Sequence, residues 1–150
     1  MHMIRPLSAA LLMSLALMGA GCAQPATTMP MTSTLSARLA GSSEVPAVNS
    51  AGSGTLDATL NKQTMVLSYT VTYTGLSGAA TAGHFHGPAP AGTNAGVALP
   101  FSGNLASPIK GQATLTADQM SQLMAGNWYV NLHTAANPGG EIRGQVNMGK

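Results

Sequence analysis

Two short stretches hold the side chains best suited to binding a metal. "AGHFHGPAP", residues 82–90, carries His84 and His86 one residue apart, and "YVNLHTAANPGGEIRG", residues 129–144, carries His133. On an extended backbone, residues i and i+2 project to the same side. His84 and His86 therefore point together while Phe85 faces the other way. In "WYVNLHT", Val130 and Leu132 alternate with Tyr129, Asn131 and His133, so His133 lies on the face opposite the aliphatic one. A turn, "AANPGG", then leads to Glu141 and Arg143, and a hairpin across it would bring one of these two near His133.

Neutral imidazoles coordinate divalent ions at about 2.0–2.1 Å. Three of them with a carboxylate nearby suit copper first, by the affinity order of first-row metals, and zinc second. A structural zinc site normally takes four protein ligands, often thiolates. The single cysteine, Cys22, lies far from both stretches, so a three-histidine site with an open or water-filled position fits better. A competing reading makes the histidines structural: Gly and Pro around "GHFHGPAP" mark a turn, and the imidazoles brace it together with Glu141 and Arg143. Other chemistry finds no motif. There is no G-x-S-x-G elbow and no Walker-type glycine loop. The acids Glu44, Asp57, Asp118 and Glu141 form no close pair in sequence for glycoside chemistry. Nothing in the sequence requires an enzyme.

The elements that must position these residues are strands. Apolar side chains alternate at Leu35, Ala37 and Leu39, at Leu56, Ala58 and Leu60, and at Met65, Leu67, Tyr69, Val71 and Tyr73. "IKGQATL", "WYVNLHT" and "EIRGQVNM" continue the same period of two. Such alternation marks half-buried antiparallel strands, and with Gly, Asn and Pro between them the chain reads as an all-β antiparallel sandwich, Greek-key-like. One segment departs from the pattern. In "TADQMSQLMAG", Thr116 and Gln119 form a capping box, Met120, Leu123 and Met124 recur at helical spacing, and Gly126 stops the turn. This predicts one short helix near residues 116–125, its methionines filling core rather than binding a soft metal.

Charged residues make up 7% of the chain, against about 25% in an average soluble protein. The formal net charge is +2, part of it Arg5 near the N-terminus. No basic stripe suited to nucleic acid is present. With 1 cysteine, no intramolecular disulfide can form, and an apolar core must hold the domain.

Residues 1–22 read as an export signal: Arg5, the apolar run "LSAALLMSLALM", then "GAGC". The run is shorter than the roughly 20 residues of a membrane span. Cys22 is positioned for lipidation, which predicts an envelope lipoprotein held to the membrane through its lipid anchor alone. Cleavage after Ala23 is the other reading and predicts secretion. Residues 23–34 form a Pro/Thr-rich flexible linker, leaving residues 35–150 as the domain.

The segments "LAGSSEVPAV", "SAGSGTLDATL", "LSYTVTYTGL", "TAGHFHGPAPAGTNAGVALPF" and "LMAGNWYVNLHTAANPGGEIRGQV" together resemble the CHRD domain, the chordin-type module of extracellular proteins that also occurs in bacterial secreted proteins. The resemblance covers residues 35–147. It implies an extracytoplasmic β-sandwich without an assigned catalytic activity, and its characteristic polar positions fall on Glu44, His84, His86, His133, Glu141 and Arg143. The use of the domain in chordin also implies a protein-interaction or adhesion role, with an envelope protein as partner. An H-x-H strand in a β-sandwich is further similar to copper/zinc superoxide dismutase, although that enzyme class uses more histidines than this chain offers. Fold-level likeness does not carry activity.

On this reading His84, His86 and His133 hold a copper ion, and Glu141 orients an imidazole or occupies the open position. Arg143 pairs with Glu141 or Glu44.

Overall fold

The computed structural model describes residues 31–149; the export signal, Cys22 and most of the linker lie outside them. Among the described residues, nine strands and one α-helix follow the order β1 (Thr32–Ala40), β2 (Ser53–Asn61), β3 (Val66–Thr74), β4 (Ala80–His86), β5 (Val97–Pro100), β6 (Ile109–Thr114), α1 (Ala117–Met124), β7 (Tyr129–Thr134), β8 (Ile142–Gln145) and β9 (Asn147–Met148), with a single 3-10 turn at Gly41–Ser43 after β1. Strand β1 takes in Thr32 to Thr34, residues that composition alone places in the linker.

All strand pairs are antiparallel, in the order β5-β4-β7-β8-β1-β2-β3-β6, with β9 beside β1. Strands β1 and β8 join through one residue pair, Ala40 with Arg143. At that junction the sheet folds over, so β5-β4-β7-β8 faces β1-β2-β3-β6. Aromatic rings connect the two layers: Tyr69 of β3 packs edge-on against Phe85 of β4 at 5.2 Å and stacks on Phe101 at 4.9 Å. The architecture is an all-β sandwich.

The alternation in the sequence becomes the interior. Leu35, Ala37, Leu39, Leu56, Ala58, Leu60, Leu67, Tyr69 and Val71 from one layer meet Phe85, Val130, Leu132 and Ile142 from the other. Helix α1 caps one end. The Thr116 side chain accepts from the Gln119 N–H, while the Gln119 side chain accepts from the Thr116 N–H. Leu123 is buried, and Trp128 beyond the helix donates its indole N–H to Gln122.

Three details depart from the sequence pattern. Met65 falls in the β2–β3 turn with φ 56° rather than in a strand, because Asn61 Oδ1 accepts from Gln63 N and Thr64 N and tightens the connection. "EIRGQVNM" splits into β8 and β9 at Val146, whose N–H bonds Trp128 O. Strand β5, four residues that follow Gly96 and end in Pro100, has too little alternation to announce itself.

Strand β7 positions the histidine site. All six of its residues are buried, so both of its faces are covered. Val130 and Leu132 face the sandwich interior. Tyr129, Asn131 and His133 face outward beneath a roof made of the loop 87–96, the segment 44–48 and the turn 135–140.

Candidate metal centre

Antiparallel register brings the two sequence stretches together: Ala82 pairs with His133, His84 with Asn131 and His86 with Tyr129. All of these except Ala82 carry large polar or aromatic side chains on the outer face of β4 and β7. His84 Nδ1 lies 3.0 Å from His133 Nε2. The imidazoles of His84 and His86 are 5.4 Å apart between centroids, and those of His84 and His133 4.9 Å. One ligand atom from each of the three histidines lies within 4.8 Å of the others. The structure thus brings together the three histidines singled out in the sequence, His84, His86 and His133.

Backbone carbonyls fix two of the rings. His86 Nδ1 is 3.0 Å from Ala95 O and His133 Nδ1 is 2.9 Å from Pro138 O. A carbonyl only accepts, so each Nδ1 carries a hydrogen, and in the neutral ring each Nε2 then keeps its lone pair. Both lone pairs turn toward Asn131 Oδ1, which is 3.0 Å from His86 Nε2 and 3.0 Å from His133 Nε2. Burial pushes His86 below the ordinary imidazole value, against the pull of its bonds to Ala95 and Asn131, with help from His133 and Arg143. Burial also lowers His84, reinforced by His133 and His86. Neutral imidazoles are the form that binds metal.

The surrounding polar residues behave differently from expectation. Glu141 does not reach a histidine. Its Oε1 accepts from Ser50 Oγ (2.7 Å) and Ser77 N (2.8 Å), and its Oε2 from Ser77 Oγ (2.6 Å) and Thr134 Oγ1 (2.6 Å). These bonds overcome burial and hold the carboxyl down at about 2. The physical reason is local: Gly140, with φ 127°, and a bend at Glu141 interrupt the strand before β8 begins. Strict alternation therefore fails there, and the carboxylate turns to the Thr134 side of β7.

Arg143 likewise takes no carboxylate hydrogen-bond partner. It donates to Asn94 Oδ1 (2.8 Å) and Thr93 O (2.7 Å), and its guanidinium carbon sits 3.4 Å from the centre of the Tyr129 ring. His86 stacks on Tyr129 at 4.7 Å with the planes 3° apart. Since β7 lies between β4 and β8, Tyr129 separates the guanidinium from the imidazole. Its hydroxyl meets both the N–H and the carbonyl of Ala95. Arg143 thereby pins the loop that orients His86.

Glu44 is buried behind Asn131. Burial pushes its carboxyl up to about 7, offset in part by the charge of Arg143 and by hydrogen bonds from Asn131 and the Val45 backbone. One of its oxygens, Oε1, is buried without a hydrogen-bond partner. A cleft of about 440 Å³ lined by Glu44, Asn94, Pro138 and Gly140 among others opens beside it.

Asn131 stands at the centre of this network, and the sequence offered a signal for it: alternation in "YVNLHT" already places it on the His133 face. The carbonyls of Ala95 and Pro138 gave no such signal, because a backbone group has no residue signature.

An all-β sandwich with a half-buried histidine trio on one outer face defines the class of protein. The CHRD domain family matches residues 35–146, and the chain belongs to that family. No curated protein sequence and no solved structure matches it.

Proposed function

We propose that this CHRD domain binds one transition-metal ion, copper in the first place and zinc in the second, through His84, His86 and His133. The observation that carries the proposal is the convergence of three imidazole ligand atoms within 4.8 Å, two of them with the opposite nitrogen committed to a backbone carbonyl. Such outer-shell bonds fix the tautomer and ring orientation of metal-binding histidines. The ion would supply a labile site, suited to metal buffering or delivery in the cell envelope, where the export signal and Cys22 would place the protein. Arg143, Tyr129 and Ala95 keep the His86 ring aligned, Pro138 does the same for His133, and the roofing loops restrict water.

A second reading has an observation of its own. The bonds from His86 to Ala95 and from His133 to Pro138 also brace two loops, as an interaction module would need. The outer face of β1, β2, β3 and β6 then offers a contact surface, a 660 Å³ cleft lined by Thr34, Ser36, Thr59, Ser68, Thr70 and others.

Titration of the tag-free chain with Cu(II), Cu(I) and Zn(II) against a competing chelator separates the two. Wild type binds one equivalent, and a variant with His84, His86 and His133 all changed to alanine, shown folded by circular dichroism, binds none. Equal binding by the two proteins would leave the interaction reading standing.

A further inference from the structure

Asn131 poses a hydrogen-bonding problem that the three-histidine reading leaves unsolved. A neutral imidazole has one N–H. His86 presents one nitrogen to Ala95 O and the other to Asn131 Oδ1; His133 presents one to Pro138 O and the other to the same Oδ1. Every one of those oxygens is an acceptor. Two N–H groups face four acceptor contacts, so two contacts set lone pair against lone pair. Turning the Asn131 amide over would cost Glu44 the hydrogen bond that this amide now supplies. A cation among the lone pairs resolves the conflict, because it accepts electron density from all of them together.

The distances indicate the coordination. His84 Nδ1, His133 Nε2, Asn131 Oδ1 and His86 Nε2 form a chain in which each successive gap is 3.0 Å. The corners of a square with that side lie about 2.1 Å from its centre, the metal–nitrogen distance of such sites. The four donors present three consecutive sides of such a square. A tetrahedron with the same bond length needs edges of about 3.4 Å. Right-angled sets of nitrogen and oxygen donors suit Cu(II), whereas zinc takes tetrahedral ones and Cu(I) prefers sulfur.

Resting on the three-histidine reading, the geometry points to Asn131 Oδ1 as the fourth donor of a tetragonal N3O site that selects Cu(II). Glu44 accepts from the Asn131 amide and aims Oδ1 at the ion. Gly140 makes room for that arrangement: a Cβ there would run into Glu44 Oε1 and the Asn131 amide nitrogen.

Electron paramagnetic resonance of the Cu(II)-loaded protein, with Cu(II) and Zn(II) affinities, tests this on wild type, Asn131→Ala and Asn131→Asp. Wild type should give an axial spectrum with coupling to three nitrogens. Asn131→Ala should bind Cu(II) more weakly by at least the roughly 10-fold that losing even an outer-shell partner costs, change the spectrum, and lose less affinity for Zn(II). Asn131→Asp, which keeps an oxygen at the position, should restore the axial spectrum. Tight Cu(II) binding with an unchanged spectrum in Asn131→Ala would remove Asn131 from the site and leave the histidines in place. A non-axial spectrum in wild type would reject the tetragonal site even if Asn131→Ala failed to fold. No Cu(II) bound by wild type would overturn both readings.

Discussion

At the scale of residues, the Thr134 side of β7 shows how a buried charge is held without a counter-charge. Glu141 is buried without a cationic hydrogen-bond partner, and hydroxyls of Ser50, Ser77 and Thr134 with the Ser77 N–H replace its water shell. Hydrogen bonds to a charged group contribute about 1.5–3 kcal/mol each in mutational series, so Glu141→Gln should destabilise the fold by a few kcal/mol near neutrality. Its folded pKa of about 2 lies below the ordinary 4.5. The unfolded chain therefore binds the proton more tightly, and the stabilisation is present above about pH 4.5 and disappears as pH falls toward 2. Thermal unfolding measured across that window should show a steeper acid loss in wild type than in Glu141→Gln. Parallel curves would mean that the hydroxyl cage does not hold the charge.

At the scale of elements, strands were the legible part of this sequence and turns were not. The period of two placed Leu35, Leu56, Leu67 and Val130 in the interior, and the Thr116–Gln119 pair announced α1, because both signals are carried by side chains. His84, His86 and His133 could each be assigned to one face of its strand for the same reason, whereas the β4–β7 register that brings them together crosses the long stretch 87–128 and has no local signal. The partners of Glu141 and Arg143 could not be assigned. Their orientations depend on the bend at Gly140 and on the path of loop 87–96, neither of which has a periodic signature. That bend is testable in itself. Gly140 has φ 127°, and an added Cβ would meet Glu44 and Asn131. Backbone strain of this kind costs on the order of 1–3 kcal/mol. Gly140→Ala should lower the melting temperature and weaken copper binding together; unchanged copper affinity would separate the turn from the site.

At the scale of the molecule, the same strands serve an apolar interior and a polar exterior. Phe85 stands between His84 and His86 in sequence and packs into the aromatic cluster with Tyr69, Phe101 and Trp128, so the interior fixes the direction in which the histidines leave the sheet. Phe85→Ala should cost about 3–5 kcal/mol, readable as a shifted denaturant midpoint. An ion bound by the folded state alone stabilises it by about 2.7 kcal/mol at one hundred times its dissociation constant. Saturating copper should therefore recover a comparable part of the loss in Phe85→Ala, and no rise in the midpoint would place copper off the folded site.

The most direct test of the central claim is anomalous diffraction from crystals of the copper-loaded chain, recorded on both sides of the copper absorption edge. The account predicts one strong peak on the outer face of β4 and β7, about 2.0–2.1 Å from a nitrogen of each of His84, His86 and His133. A peak elsewhere, or none in a protein whose histidines keep their bonds to Ala95 and Pro138, would contradict it and give those residues back to loop bracing.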